Sequence, residues 1–220
     1  MSMRKTFRWK VAQSVELKWW KGYLNKKDKD DYLAWKRHYW KELLKTIDDV
    51  IKLEPGQRIL DAGCGPAGIY IILNEQKVDA LDPLLDSYEK TLEHFSASDY
   101  PNVNFHSLPL ELYDVGHTND IVFCMNAINH VDDLTTSMDV ICRAVTKDGL
   151  LVLTIDAHNF KGFKRIFRMI PGDILHPHQY DLTEYSRMVT DRDMKILKTV
   201  TLKQEFFFDH YLIVAQKYSG

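Results

Sequence analysis

The stretch Arg58-Ile59-Leu60-Asp61-Ala62-Gly63-Cys64-Gly65-Pro66-Ala67-Gly68 constrains the fold more than any other part of the chain. Ile59-Leu60 is a short apolar run of the kind that forms a buried strand, and it closes on an acid, Asp61. Gly63, Gly65 and Gly68 then follow in the spacing G-x-G-x-x-G, and Ile69 to Leu73 is expected to open a helix. Glycines at this spacing allow a tight turn and let a ligand approach bare backbone. A helix start beside them offers unpaired N–H groups and a partial positive charge.

A second acid strengthens the pattern. The run Val78-Asp79-Ala80-Leu81 reads as the next strand and ends on Asp82, close to the offset of about twenty residues at which a carboxylate meets a ribose. Three glycines and Asp82 alone would suit a nicotinamide dinucleotide equally well. Asp61 separates the two cases, because a carboxylate at that corner repels a pyrophosphate and favours a ligand that carries positive charge.

Leu60 to Gly68, with Leu81-Asp82-Pro83, resembles the class I S-adenosylmethionine-dependent methyltransferases. The resemblance covers roughly Arg58 to Lys217, and residues 1–57 share only a general likeness to that family's variable N-terminal cap. It implies S-adenosyl-L-methionine as cofactor, with Gly63, Cys64 and Gly65 under its methionine part and Asp61 near its ammonium, directly or through water. Asp82 would hold the ribose and Pro83 would lie beside the adenine. Where many members carry an acid for the adenine amino group, this chain has Ser107, followed by Leu108 as the next adenine contact; Glu111 is the alternative acceptor. Asn126 stands where the family's backbone meets the methionine moiety. Ala127 and Ile128 replace the prolines typical of enzymes that methylate exocyclic base amines, which argues against that substrate class.

His130 matches a histidine common in the small-molecule members. As a catalytic group it would take a proton from a hydroxyl or amine, since imidazole titrates near neutrality. As a structural group it would cap or buttress the following helix, the commoner role for a single histidine. His158, His176 and His178 fall in the part that shapes the substrate pocket in the family. An H-x-H pair with a third histidine upstream raises a metal site, but no acidic cluster accompanies them, so no metal is expected. His158, His178 and Tyr180, with Trp20 and Tyr23 near the N-terminus, are the expected substrate-binding residues.

The rest of the chain fits one α/β domain of 220 residues with additions. Residues 1–57 are expected to form a helical cap or lid, and residues 58–220 the cofactor-binding domain with an insert at about 158–185. Residues 1–27 set Arg4, Lys5, Arg8, Lys10, Lys18, Lys21, Lys26 and Lys27 against the single acid Glu16, with Trp9, Trp19, Trp20 and Tyr23 interleaved. Asp30 to Leu53 carries an aromatic and aliphatic stripe at helical spacing, read as core packing, and Arg37 and His38 flank it. From Arg58 onward, short apolar strands alternate with helices, which indicates a parallel sheet covered on both faces. Phe160 to Ile170 reads as a helix and Asp181-Leu182-Thr183-Glu184 as a capping box. Ile196 to Leu202 and Tyr211 to Ala215 are close enough to pair as an antiparallel hairpin. The expected fold is therefore a Rossmann-like, doubly wound α/β sheet of five parallel strands plus a C-terminal antiparallel hairpin, with helices on both faces.

Three cysteines without C-x-x-C spacing suggest buried thiols in a reducing cytoplasm. A net charge of −2 argues against a nucleic-acid partner, although the basic N-terminal segment keeps RNA in view. No stretch reaches membrane-spanning length, so no membrane partner is expected. The expected activity is methyl transfer to an O, N or S atom of a small molecule. A nicotinamide-dependent oxidoreductase and a non-catalytic cofactor-binding partner subunit are the alternatives. The oligomeric state is left open.

Overall fold

The computed structural model describes residues 7–114, 118–158, 180–205 and 208–218. Two helices come first, α1 (Phe7–Leu24) and α2 (Lys29–Lys45). Asp28 caps α2, its side chain accepting from the N–H groups of Asp30 (2.9 Å) and Asp31 (3.1 Å). The expected helix to Leu53 stops at Lys45, where the Thr46 hydroxyl turns back onto the Leu43 carbonyl at 2.7 Å. Hydrogen-bonded turns carry the chain on to Ile51, so Ile47 and Ile51 stay buried without a continuous helix.

Seven strands make one sheet: β1 (Arg58–Ala62), β2 (Lys77–Leu81), β3 (Val103–His106), β4 (Asn119–Cys124), β5 (Val145–His158), β6 (Met194–Gln204) and β7 (Phe208–Lys217). Their order is β3-β2-β1-β4-β5-β7-β6. The pairs among β1 to β5 are parallel, and β7 runs antiparallel to both β5 and β6. This is the expected doubly wound sheet with its terminal hairpin, and the hairpin folds back so that its second strand lies inside. Strand order reverses at β1, between β2 and β4, and a ligand crevice opens beyond the carboxyl ends of strands at such a point.

Alternation along the strands builds two cores. Ile59, Ile121, Phe123, Val152 and Val214 face α1, α2 and α3 (Leu85–Thr91). Leu60, Val122, Leu151, Leu153 and Ile213 face α4 (Leu134–Ala144) and α5 (Leu182–Thr190). The capping box at α5 forms as expected: Glu184 N–H donates to Asp181 at 2.8 Å and Asp181 N–H donates to Glu184 at 2.9 Å.

One expected helix is absent. Ile69 to Leu73 forms a single 3₁₀ turn, Ile69–Ile72, after another at Gly65–Ala67. Only eight residues separate Gly68 from Lys77. An α-helix rises about 1.5 Å per residue against about 3.3 Å for a strand, so that length cannot lead the chain back along β1 as a helix. Ile69, Tyr70 and Ile71 are all buried, and α2 covers this part of the sheet instead. The helix expected over Phe160 to Ile170 lies outside the described residues. No helix among the described residues is long and apolar enough to cross a membrane.

Candidate functional site

β1 ends at Ala62, and the N–H groups of Gly63 and Cys64 both donate to the Leu81 carbonyl, at 2.8 and 3.0 Å. The turn is thereby pinned to the end of β2. Gly63 has φ +73°, and a Cβ there would overlap the Ala127 methyl group, so both torsion and space demand glycine. At Gly68 the torsion is ordinary, but a Cβ would run into Asp61 Oδ2 and the Cys64 carbonyl.

Asp61 lies beneath the turn and is almost fully buried, at 1% exposure. Its Oδ2 accepts from Tyr70 N–H at 3.1 Å, so the acid fixes the return of the chain after the glycines. Burial pushes its carboxyl up to about 7, with Asp82 adding to the rise; the Tyr70 and Ile69 N–H groups and the Lys36 charge oppose it. Asp82 accepts from Gly65 N–H (3.1 Å) and Leu84 N–H (2.8 Å), and burial raises its carboxyl against those two bonds.

A cavity of about 520 Å³ opens above this turn. Gly63, Cys64 and Gly65 line its floor with Asp82 and Pro83, and Asn126 and His130 line the side that follows β4. Asn126 has φ +54°; its N–H donates to Thr154 Oγ1 at 2.7 Å, and that hydroxyl donates to Asn126 Oδ1 at 3.1 Å. α1 and α2 supply the opposite wall, including Trp20 and Tyr23. The Trp20 ring stands close over the glycine turn, 3.7 Å from where a Cβ on Gly65 would be. Trp19 stacks on Tyr23 with ring centres 4.9 Å apart, and Trp19 and Trp35 remain half exposed at the mouth. Trp35 belongs to the stripe over Asp30 to Leu53 read as core packing, and its half-exposed position corrects that reading for this residue.

Four of the expected contact residues are not among those lining the cavity. Asp61 is under the turn and does not line the cavity. The Ser107 hydroxyl accepts from Asp86 N–H at 3.3 Å, and Leu108 packs into the core on the α4 side; neither lines the cavity. Pro109, Leu110 and Glu111 take that part of the wall, and Glu111 Oε1 accepts from the N–H groups of Asp132 (2.8 Å) and Asp133 (3.1 Å). Tyr180 packs edge-on against Tyr185, with centroids 5.8 Å apart, and does not reach the cavity. The His158 side chain and His178, like His176, lie outside the described residues.

The cavity also gathers residues that the sequence did not single out. Tyr32, Lys36 and Trp40 form an i, i+4, i+8 row on α2, and all three line it. The Trp40 indole N–H donates to the Ala67 carbonyl at 3.1 Å and ties α2 to the glycine turn. Arg37 lies against Tyr100 and His38 against Glu42, and neither of these two residues flanking the stripe lines the cavity. On α1, Gln13 Nε2 donates to Glu16 Oε2 at 3.4 Å. Burial raises the Glu16 carboxyl, with the Asp82 charge as the next cause. Two buried polar atoms of the wall, Gln13 Oε1 and the Tyr32 hydroxyl, make no hydrogen bond among the described residues. Unpaired polar atoms around a cavity are what a polar ligand would satisfy.

A family model described as a methyltransferase domain matches residues 53–199, well over half of the chain. No curated protein sequence matches it. Among solved structures, the YcgJ protein from Bacillus subtilis is 15% identical with a TM-score of 0.65, over 83% of this chain and 99% of that one. Phosphoethanolamine N-methyltransferase 2 of Haemonchus contortus, solved with S-adenosyl-L-methionine, is 14% identical with a TM-score of 0.61, over 82% of this chain and 53% of that one. An S-adenosylmethionine-dependent methyltransferase from Methanosarcina mazei is 16% identical with a TM-score of 0.57, over 76% of this chain and 94% of that one. At such identities these likenesses are of fold. Together with the family match over β1 to β6, they place the glycine turn and its two acids in a known setting: the chain belongs to the methyltransferase-domain family and is a class I S-adenosylmethionine-dependent methyltransferase.

Proposed function

We propose that this protein methylates an O, N or S atom of a small-molecule acceptor held between the glycine turn and the aromatic wall of α1 and α2. The observation that carries this reading is the single cavity of about 520 Å³ shared by the turn, Asp82, His130 and seven aromatic side chains of the two helices. A volume of this order suits a small-molecule ligand. Residues 1–57 act as its cap and residues 58–220 as the cofactor-binding part.

The residues present fit the donor. Asp82, beside the turn, would hold the ribose, with Pro83 at the adenine edge. Gly63, Cys64 and Gly65 would pass under the methionyl part, and Asn126 would border it. Gln13 Oε1 and the Tyr32 hydroxyl are buried polar atoms left for a ligand to pair. Asp82, Glu16 and Glu111 line the cavity against one described cation, Lys36, a balance that favours a ligand carrying positive charge.

S-adenosylmethionine, when bound, supplies a methyl group on a positively charged sulfur, which an acceptor lone pair displaces in line to leave a neutral thioether. The protein's own share is to orient the acceptor, exclude water and accept a proton where the acceptor is protonated. Indole and phenol faces suit the first two tasks. His130, on the side of the cavity that follows β4, is the proposed proton acceptor.

The test is methyl transfer to a panel of hydroxyl, amine and thiol acceptors, read as S-adenosylhomocysteine formed. Turnover with one acceptor class is expected. With that acceptor, His130→Ala should lower kcat about 100-fold and restore part of it at high pH. An unchanged rate would remove His130 from the chemistry, and no turnover across the panel would count against a small-molecule acceptor.

A further inference from the structure

Lys36 lines the cavity from α2. It is the only cationic side chain among the described residues lining the cavity, apart from the titratable imidazole of His130. Its Nζ sits against three aromatic rings, 4.7 Å from the Trp40 centroid, 5.1 Å from Tyr39 and 5.8 Å from Trp35. No hydrogen bond or ion pair to Nζ is formed among the described residues, whereas Lys29, Lys45 and Lys198 each meet a carboxylate. An ammonium held on aromatic faces in a half-buried wall keeps its charge through cation–π attraction but lacks a counter-ion.

Its place along the cavity is fixed by its neighbours. Trp40, one helical turn on, is bonded to Ala67 at the end of the glycine turn. Asp61, beneath that same turn, is an acid whose charge acts on Lys36. Lys36 therefore stands at the Ala67 end of the turn. The other charged walls, Asp82 and Glu16, oppose each other across α1 and the end of β2. The donor carries one formal anion, the α-carboxylate of its methionyl end. Carboxyls at Asp82, Glu16 and Glu111 offer that group no attraction, and Lys36 is the cation among the described lining residues that does.

We infer that Lys36 binds the α-carboxylate of the donor's methionyl end. The inference rests on the proposed placement of the donor over the glycine turn. It makes α2 part of the donor site: in the row Tyr32, Lys36 and Trp40, the first two turn one polar atom and one cation toward the ligand and the third ties the helix to the turn. Burial also brings the Lys36 ammonium down to about 8, the state of a cation short of a partner.

The experiment compares two nucleosides, one with and one without the amino-acid end that bears this carboxylate. S-adenosylhomocysteine carries the full amino-acid end, and 5′-methylthioadenosine lacks it. Each is titrated calorimetrically into the intact wild-type chain and into Lys36→Met and Lys36→Arg. For Lys36→Met, a loss of about 10- to 100-fold for S-adenosylhomocysteine is expected, the range of a charged hydrogen bond, with 5′-methylthioadenosine changed less than about twofold. Lys36→Arg should recover most of the lost affinity. Equal weakening of both nucleosides, or of neither, would overturn the assignment. If neither nucleoside binds the wild type, the donor placement itself fails, which separates that failure from an error about Lys36.

Discussion

Single residues around the turn carry steric and electrostatic demands that can be tested one at a time. Gly63 combines φ +73° with a Cβ position that overlaps Ala127. Gly63→Ala should therefore cost about 2–4 kcal/mol of stability, strain and overlap together, read as a lowered midpoint of urea unfolding. A midpoint within error of wild type would mean that the turn is not held as described. Gly63, Gly65 and Gly68 were legible in the sequence because glycine is the one residue whose spacing reports backbone shape directly. Asp61 was legible as an acid at a strand end, but its use was not. Nothing in a linear sequence says that its carboxylate turns inward to Tyr70 N–H. Lys36 was hidden by the aromatic stripe around it, which resembles ordinary packing, although its four-residue spacing from Tyr32 and Trp40 was there to be read.

Whole elements show where local pattern gives way to tertiary context. The run Ile69 to Leu73 is apolar enough for a helix but too close to Lys77 to form one, so α2 covers that part of the sheet and the chain crosses in 3₁₀ turns. The stripe on α2 correctly signalled a helix, yet its end at Thr46 is set by a hydroxyl-to-carbonyl bond that many threonines do not make. The Trp40–Ala67 bond is the direct link between cap and turn. Trp40→Phe keeps an aromatic ring but removes the indole N–H and part of the bulk, so the Ala67 carbonyl loses this donor, at a cost of about 1–3 kcal/mol. It should also weaken S-adenosylhomocysteine binding, because the turn loses its anchor. Thermal unfolding with and without the ligand checks both effects; an unaltered transition would show that the tether carries no weight.

At the scale of the whole molecule, strand alternation and the closeness of the last two strands were enough to give the doubly wound sheet and its hairpin. Beyond Trp20 and Tyr23, the share of α1 and α2 in the cavity was not legible, because the two helices meet the ends of β1, β2 and β4 only through long-range packing. That packing buries or half-buries three carboxyls about the glycine turn, Asp82 and Glu16 on the cavity and Asp61 beneath it, and all three are raised. An acid whose folded value lies above its unfolded one binds extra protons in the native state. Stability is then fullest below the unfolded value, near 4, and is lost as pH rises through the folded value, about 7 for Asp61. The ligand-free protein should accordingly melt higher at a pH of about 6 than at about 7.5, and Asp61→Asn should flatten that slope. A melting temperature that rises with pH over this interval would contradict the sign.

Calorimetric titration of the purified protein with S-adenosylhomocysteine, with NADH as a parallel titrant, tests the central claim most directly. Saturable one-site binding of the nucleoside is predicted, weakened at least about 10-fold by Asp82→Ala, with no heat from NADH. Binding of NADH with none of the nucleoside would contradict the placement of the donor over Gly63, Gly65 and Asp82, and with it the function proposed for this cavity.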